Sequence, residues 1–268
     1  MVSLVVLMVL LGSVVARNSN DVASAMRILK FASDVADKGS QRQREIPFTT
    51  ISFAQTIDGS IAPTTRGRID ISSKTSFQIL HSLRAKSDAV LVGVNTLLLD
   101  NPQLNARDIL PGIEKPKDQP RSVVLDSTLR FCRGGARTAL RVQRPIVFTC
   151  VPEDDVRFHQ ANEMLAECGG TVVAVCETED GRCDIADCMR VLRARFNVHH
   201  LLVEGGARVL QDVLERGMAH QALITLQPCF LGGYRSLTRQ LVRPVALEDI
   251  AVASGGGDIV IHGIVQNE

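Results

Sequence analysis

The sequence predicts an α/β fold: a central, mostly parallel sheet with flanking helices and antiparallel strands towards the C-terminus. Three observations carry this. Short apolar segments alternate with amphipathic segments of about 10–15 residues, the rhythm of strand–helix–strand units. "DAVLVGV" (88–94) is apolar almost throughout, as in a strand buried on both faces of a parallel sheet. The tail "GDIVIHGIV" (257–265) instead alternates apolar and polar residues, the period of a strand with one wet face.

Taken in order, residues 21–37 place Val22, Ala25, Met26, Leu29, Ala32 and Ala36 on one helical face. This predicts a helix peripheral to the fold, followed by the polar linker "KGSQRQREIP" (38–47). From Pro47 onward come a strand at 48–54, a serine-capped helix at 72–85 and a strand at 88–94. "NTLLLDNPQLNAR" (95–107) has neither period, and 108–120 is a loop with three prolines. Strands follow at 121–126, 145–151 and 171–176, with a glycine-stopped helix at 154–170 between the last two. A helix at 184–196, a strand at 199–204, a helix at 206–217 and a strand reaching a turn at 220–233 complete the series. No internal repeat and no second zone of composition appears, so residues 47–268 read as one domain.

Composition limits the function. The 268 residues are 45% hydrophobic and 22% charged, enough apolar material for a sizeable core. Thirty basic and 29 acidic residues leave a net charge of +1, too little field to hold nucleic acid or an acidic membrane surface. The seven cysteines include no C-x-x-C pair and fit no common zinc spacing, so they read as reduced, half-buried fillers.

The N-terminal stretch "VSLVVLMVLLGSVVA" (2–16) has the length of a signal-peptide core, with Val14 and Ala16 as a cleavage site, yet no Lys or Arg precedes it. It falls short of the roughly 20 apolar residues of a membrane span. Residues 1–20 are therefore a targeting segment, a non-native start or an extra buried strand. The mature domain is expected to lack stable membrane association and to work in the cytoplasm or an organelle.

The nucleotide fingerprints G-x-x-x-x-G-K-[ST] and G-x-G-x-x-G are absent. In their place a strand runs directly into Gly205-Gly206, where the missing Cβ atoms allow a sharp bend and close approach of a ligand to the unpaired N–H groups of a helix start. Such a start suits phosphate, and equally serves as a plain tight turn. Glu204 precedes it, at the strand end where open α/β sheets bind ligands. It is read either as a ligand contact or as a helix-dipole partner. Arg84 and Arg107 have guanidinium forks suited to a phosphate, although on the residues alone each reads more readily as a solvated surface residue. Asp58-Gly59 and Asp100-Asn101-Pro102 read locally as turns.

Taken together, "TISFAQTIDGSIA" (50–62), "LRAKSDAVLVGVNTLLLDNPQLNAR" (83–107), "VVLDSTLRF" (123–131), "LLVEGGARVLQDVLERG" (201–217) and "LITLQPCFLGG" (223–233) resemble, in order and spacing, the reductases of riboflavin biosynthesis. Both the stand-alone diaminohydroxyphosphoribosylaminopyrimidine reductase and the reductase half of the bacterial deaminase–reductase show this pattern. The resemblance spans roughly 47–235 and implies a dihydrofolate-reductase-like fold. It also implies NADPH-dependent reduction of a ribosylamino pyrimidine 5′-phosphate to its ribitylamino form. On the family pattern Thr96, Asp100, Ser127, Gly205, Gly206, Ala207 and Arg208 match cofactor contacts, and Arg84, Leu104, Arg107 and Glu204 match substrate contacts. Glu204 would fix the substrate or relay a proton. A phosphorylated small-molecule substrate and a homodimer are expected, with no metal.

Three features depart from the pattern: Ser60 where relatives commonly carry Lys or Arg, Asn101 for the second acid of Asp-Asp-Pro, and the loop 63–71, whose contacts do not carry over. The zinc-deaminase half, with its H-x-E and P-C-x-x-C ligands, is missing, which implies a separate deaminase. Two rivals stand beside this reading: a dihydrofolate-reductase-like enzyme for another heterocycle, and a non-catalytic NADPH-binding protein.

Overall fold

The structure is a computed structural model that describes residues 19–65, 71–133, 138–141 and 144–267. The leader expected at 2–16 and residues 66–70 of the departing loop lie outside the described residues. The chain runs α1 (Ser19–Ser40), β1 (Phe48–Thr56), β2 (Ser60–Ala62), α2 (Lys74–Ala85), β3 (Ala89–Gly93), α3 (Val94–Asp100), β4 (Arg121–Leu125) and β5 (Ile146–Thr149). It continues with α4 (Val156–Ala166), β6 (Thr171–Ala174), α5 (Ile185–Phe196), β7 (His200–Gly205), α6 (Ala207–Glu215), β8 (Gln221–Gln227), β9 (Tyr234–Arg235), β10 (Leu247–Gly255) and β11 (Asp258–Val265).

Among the described residues, nine strands form one sheet in the order β10-β11-β8-β1-β7-β3-β4-β5-β6. From β8 to β6 the neighbours are parallel. β11 and β10 complete the sheet antiparallel, as the alternating tail predicts. The chain enters the sheet at β1, skips one place to β3 and steps outward to β6. It then returns to fill the skipped place with β7, and crosses β1 to add β8. This reversal creates a topological switch point, and in such sheets ligands bind beyond the C-terminal strand ends beside it.

Each strand feeds two cores because side chains alternate across the sheet. Val90, Val92, Val124, Val147, Leu202 and Leu223 join one face with α1, α2 and α4. Leu91, Val123, Phe148, Leu201, Val203 and Ala222 join the other with α5 and α6. Double coverage explains why these strands read as unbroken apolar runs.

Helix α1 differs from the expectation of a peripheral element. Ala25, Ile28, Leu29 and Ala32 are buried in the first core, and the Gln221 amide of β8 donates to the Ala32 carbonyl at 3.2 Å. Gln221 belongs to a buried polar chain that crosses four strands. The Thr50 hydroxyl bonds His200 Nε2 at 2.8 Å and accepts from Gln221 Nε2 at 2.8 Å, and Gln221 Oε1 lies 2.8 Å from His262 Nε2.

Helix α3 occupies part of the segment that shows no period. Its seven residues make too few turns for a periodic signal, and Asn101 ends it with φ 43° in the left-handed region that Asn tolerates. Strand β10 escapes sequence reading because it is an edge strand whose Glu248, Asp249, Ile250 and Val252 remain exposed, and its pairing shifts between Glu248 and Ala251. The strand expected over 220–233 stops at Gln227, and residues 231–233 are held as a turn.

Candidate active site

Strand β7 delivers Glu204, Gly205 and Gly206 to the switch point. Its pairing with β3 runs Leu91 to Val203 and then Val92 to Gly205, so Glu204 is the extra residue of a β-bulge. A bulge re-aims the side chain it carries. Gly205 has φ 116°, open to glycine but not to ordinary side chains, and the Gly205–Gly206 peptide is cis.

Gly206 caps α6 without any side-chain hydrogen bond, leaving the first N–H groups of that helix outside the intrahelical ladder. A Cβ at Gly206 would stand 3.2 Å from Thr96 Oγ1 of α3, and one at Gly93 would stand 3.1 Å from Val209 Cγ2 of α6. Two helix starts thus meet backbone to backbone across a surface that glycine keeps narrow. Thr96, Gly205, Gly206 and Ala207 come together there. Asp100 lies one turn beyond Thr96 on α3, exposed, and Arg208 is exposed on the first turn of α6. This donor set, free helix N–H groups beside a hydroxyl, fits the phosphates of a dinucleotide.

Glu204 turns towards α2. Arg84 donates from Nε to Glu204 Oε1 and from Nη2 to Oε2, both at 2.6 Å, while Nη1 donates to the Asn105 carbonyl at 3.1 Å. The two side chains are only 8% and 11% exposed. A guanidinium has five N–H donors and a carboxylate about four lone-pair sites, so the pair still offers two donors and two acceptor sites to a polar ligand. Both residues expected at the substrate are therefore adjacent, but as partners of each other.

Asn105 links them to Arg107, whose Nη1 donates to Asn105 Oδ1 at 2.9 Å on the exposed side. Leu104 is 1% exposed in the core with φ 54°, so any ligand contact there falls to main-chain atoms. Sequence reading passed over Asn105 and His81. His81 lies one turn before Arg84 on the same helix face, a spacing that could have flagged it. Its Nδ1 is 2.9 Å from the Asn105 carbonyl. Burial first, then the positive charges of Arg84 and Arg107, pull its pKa down to about 4.

Ser127 follows β4, two strands from β7. Its hydroxyl accepts from the Cys183 N–H at 3.0 Å and lies 3.6 Å from Cys183 Sγ, so it is tied to the loop before α5. No disulfide links the seven cysteines, and among the described residues no His/Cys/Asp/Glu cluster is suited to a metal. Nor is any described helix long and apolar enough to cross a membrane.

The Asp58-Gly59 turn does more than reverse the chain. Asp58 accepts from Thr56 Oγ1 at 2.5 Å, from Ser60 Oγ at 2.8 Å, and from the N–H groups of Leu231 and Gly232 at 3.1 and 2.7 Å. These bonds, led by that from Thr56, hold its carboxyl well below the usual range. Ser60 Oγ also accepts from the Gly233 N–H at 2.9 Å. The departure at position 60 therefore has a local role, joining the β1 turn to the one after β8.

Comparison with known proteins gives the same assignment as the motifs. The family described as the RibD C-terminal domain matches residues 47–261. A 2,5-diamino-6-ribosylamino-4(3H)-pyrimidinone 5′-phosphate reductase of Archaeoglobus fulgidus is 31% identical over 202 residues, 72% of this chain and 85% of the relative. The protein of that name from Kluyveromyces marxianus is 27% identical, covering 84% of this chain and 90% of the relative. The riboflavin biosynthesis protein RibD of Aquifex aeolicus is 29% identical, and the match covers 58% of it. Among solved structures, the Saccharomyces cerevisiae riboflavin biosynthesis reductase Rib7 superposes with a TM-score of 0.65 at 22% identity, over 88% of this chain and 98% of that one. Acinetobacter baumannii RibD gives 0.68 at 19% identity, over 83% and 59%. The dihydrofolate-reductase-like fold implied by the motifs is the fold observed, and the chain belongs to the RibD C-terminal domain family of riboflavin-pathway reductases.

Proposed function

We propose that this chain reduces the ribosylamino side chain of a pyrimidine 5′-phosphate to ribitylamino with NADPH, taking the diaminopyrimidinone before its deamination. The observation that carries the reading is the division of labour at the end of β7: Gly206 faces Thr96 and two helix starts, while Glu204 is turned to Arg84, Asn105 and the Arg107 loop. One residue step thus separates a dinucleotide-phosphate surface from a polar, cationic one. The relatives named for the diaminopyrimidinone are matched over 85% and 90% of their lengths, which supports that substrate form over the aminouracil.

When bound, NADPH would supply a hydride to C1′ of the opened sugar, with solvent supplying the proton taken up by the imine nitrogen. The chain supplies position. The N–H groups at the start of α6 and the Thr96 hydroxyl hold the cofactor, with Asp100, Ser127, Ala207 and Arg208 along its course. Arg107 and the remaining N–H donors of Arg84 hold the anionic end of the substrate. Glu204 fixes the substrate through the acceptor sites left over from its paired hydrogen bonds with Arg84.

The phosphorylated dinucleotide is favoured by Arg130, three residues beyond Ser127. Its Nη2 rests on the neutral Asn95 Oδ1 at 2.8 Å, next to Thr96, leaving a cation poised for a 2′-phosphate. Exposed Ile250 and Val252 on the open edge of β10 support the homodimer.

One assay tests the whole: the purified full-length chain with NADPH or NADH, offered the diaminopyrimidinone and aminouracil ribosylamine phosphates side by side. The expected result is turnover of the first with NADPH, with Arg130→Ala lowering the NADPH/NADH preference at least tenfold. Turnover of a dephosphorylated substrate equally well, or tight NADPH binding with no reduction of either, would refute the proposal.

A further inference from the structure

We propose that His81 is the positioning residue of the substrate side, a neutral imidazole in the Nδ1–H tautomer that pins the Arg107 loop against α2. The inference rests on the reductase reading above. Residues 101–107 belong to no strand, so no ladder of main-chain bonds fixes where Arg107 stands. Side chains do this instead. The amide of Gln119 bonds both main-chain groups of Ala106, at 2.8 and 3.0 Å, and Ser82 Oγ accepts from the Leu110 N–H at 2.9 Å. Two bonds reach the segment between Leu104 and Arg107 from α2, both at the Asn105 carbonyl, and the shorter is that of His81, at 2.9 Å against 3.1 Å from Arg84.

The shorter contact is the basis for the tautomer assigned to His81. A carbonyl oxygen only accepts, so the 2.9 Å contact needs a hydrogen on Nδ1, whereas the Arg107 N–H that points at the same nitrogen from 3.4 Å donates to it only in the opposite tautomer. Arg84 Nη1 donates to the same carbonyl at 3.1 Å, so one oxygen uses both lone pairs, one for each residue of α2. His81 is 3% exposed and feels the positive charges of Arg84 and Arg107, with Glu204 as the opposing acid. A lysine or arginine there would add a third positive charge to a buried site. An uncharged ring supplies the same hydrogen bond without that repulsion, and the low pKa of about 4 keeps it uncharged at neutral pH. Moving Asn105 would shift Arg107 through its Asn105 Oδ1 contact and withdraw the third anchor of Arg84. The ring thereby acts on substrate binding through two arginines.

The test compares wild type, His81→Ala and His81→Asn, with melting temperature recorded for each. Asn retains an N–H near the place of Nδ1. Loss of one hydrogen bond predicts a KM for the phosphorylated substrate raised about five- to tenfold in His81→Ala, with kcat and the KM for NADPH within twofold. His81→Asn should restore most of the loss. Long-range 1H–15N spectra of the imidazole at pH 7 should show Nδ1 protonated and Nε2 bare. An unchanged KM in His81→Ala, a fall in kcat alone, an Asn variant no better than Ala, or an Nε2–H tautomer would each overturn the inference while wild-type turnover left the reductase reading intact. A wild type that reduced neither phosphate would overturn both.

Discussion

Replacing Glu204 by Gln tests the pairing at the centre of the site. The variant keeps the shape of the side chain, removes its charge and turns one acceptor oxygen into an N–H that faces Arg84. In the structure both carboxylate oxygens accept guanidinium bonds at 2.6 Å, with the two side chains 8% and 11% exposed. Breaking a buried pair from one side costs about 3–5 kcal/mol, because the surviving charge is left uncompensated. The Asn105 carbonyl still accepts from Arg84, and both side chains keep a little solvent exposure, so a loss of about 2–4 kcal/mol is expected here. At about 2–4 °C per kcal/mol for a chain of this size, the melting temperature should fall by roughly 4–16 °C. The decisive measurement is a double-mutant cycle in urea with Glu204→Gln, Arg84→Met and both together. Removing both charges should cost less than the sum of the single changes by at least about 1 kcal/mol. Additive losses would show that the two side chains do not stabilise each other.

The geometry sets three further outcomes. Gly206→Val places a branched side chain where even a Cβ would stand 3.2 Å from Thr96 Oγ1; the Kd for NADPH should rise at least tenfold in a fluorescence titration, and unaltered binding would remove the cofactor from this helix start. Burial pulls the pKa of His81, His220 and His262 down to about 4 each, so as pH falls below the usual histidine value the unfolded chain takes up protons that the folded one refuses. Stability should accordingly be level between about pH 7 and 8 and decline from about pH 6.5 towards pH 4, by about 1–3 kcal/mol per pH unit when partial solvent access is allowed for. Urea titrations at pH 7 and pH 5.5 that give the same unfolding free energy would contradict this. Gln221→Leu strips partners from His262, Thr50 and the Ala32 carbonyl together and should cost about 2–4 kcal/mol in denaturant unfolding; a neutral result would mean that water replaces the amide.

Much of the fold was legible because burial on both faces writes itself into strands such as 88–94 and 145–151 as unbroken apolar runs. The Gly205-Gly206 turn was visible for a similar reason, since a strand running straight into two glycines and a helix is a local pattern. The partner of Glu204 was not visible. Arg84 lies 120 residues earlier, and the bulge that aims Glu204 at it arises from one surplus residue in a pairing that a single strand does not encode. Helix α1 was recognisable as amphipathic, but its small-residue face around Ala25 and Ala32 suits many surfaces, and its seat on the sheet depends on β8 and β10. Of the residues proposed for the substrate side, Arg84, Leu104, Arg107 and Glu204 were singled out through motif, whereas His81 and Asn105 acquire significance only when the 101–107 segment folds back on α2.

The place of β7 also sets the order in which the protein can be assembled. Strands β1 and β3 share no hydrogen bonds; each pairs along one edge with β7, which is synthesised more than a hundred residues later. Until residues 200–205 enter that slot, the sheet has two halves and the α2 arginine has no carboxylate to meet. Insertion of a central strand between two distant parallel neighbours is a non-local and slow event. A nascent or truncated chain ending before residue 200 thus holds most of its helices, with Arg84 and Thr96 in place but without Glu204, Gly205 and Gly206, which they meet in the finished sheet. On the proposed reading, insertion of β7 is the step that brings the cofactor and substrate sides together, so NADPH capture would report that β7 has entered its slot.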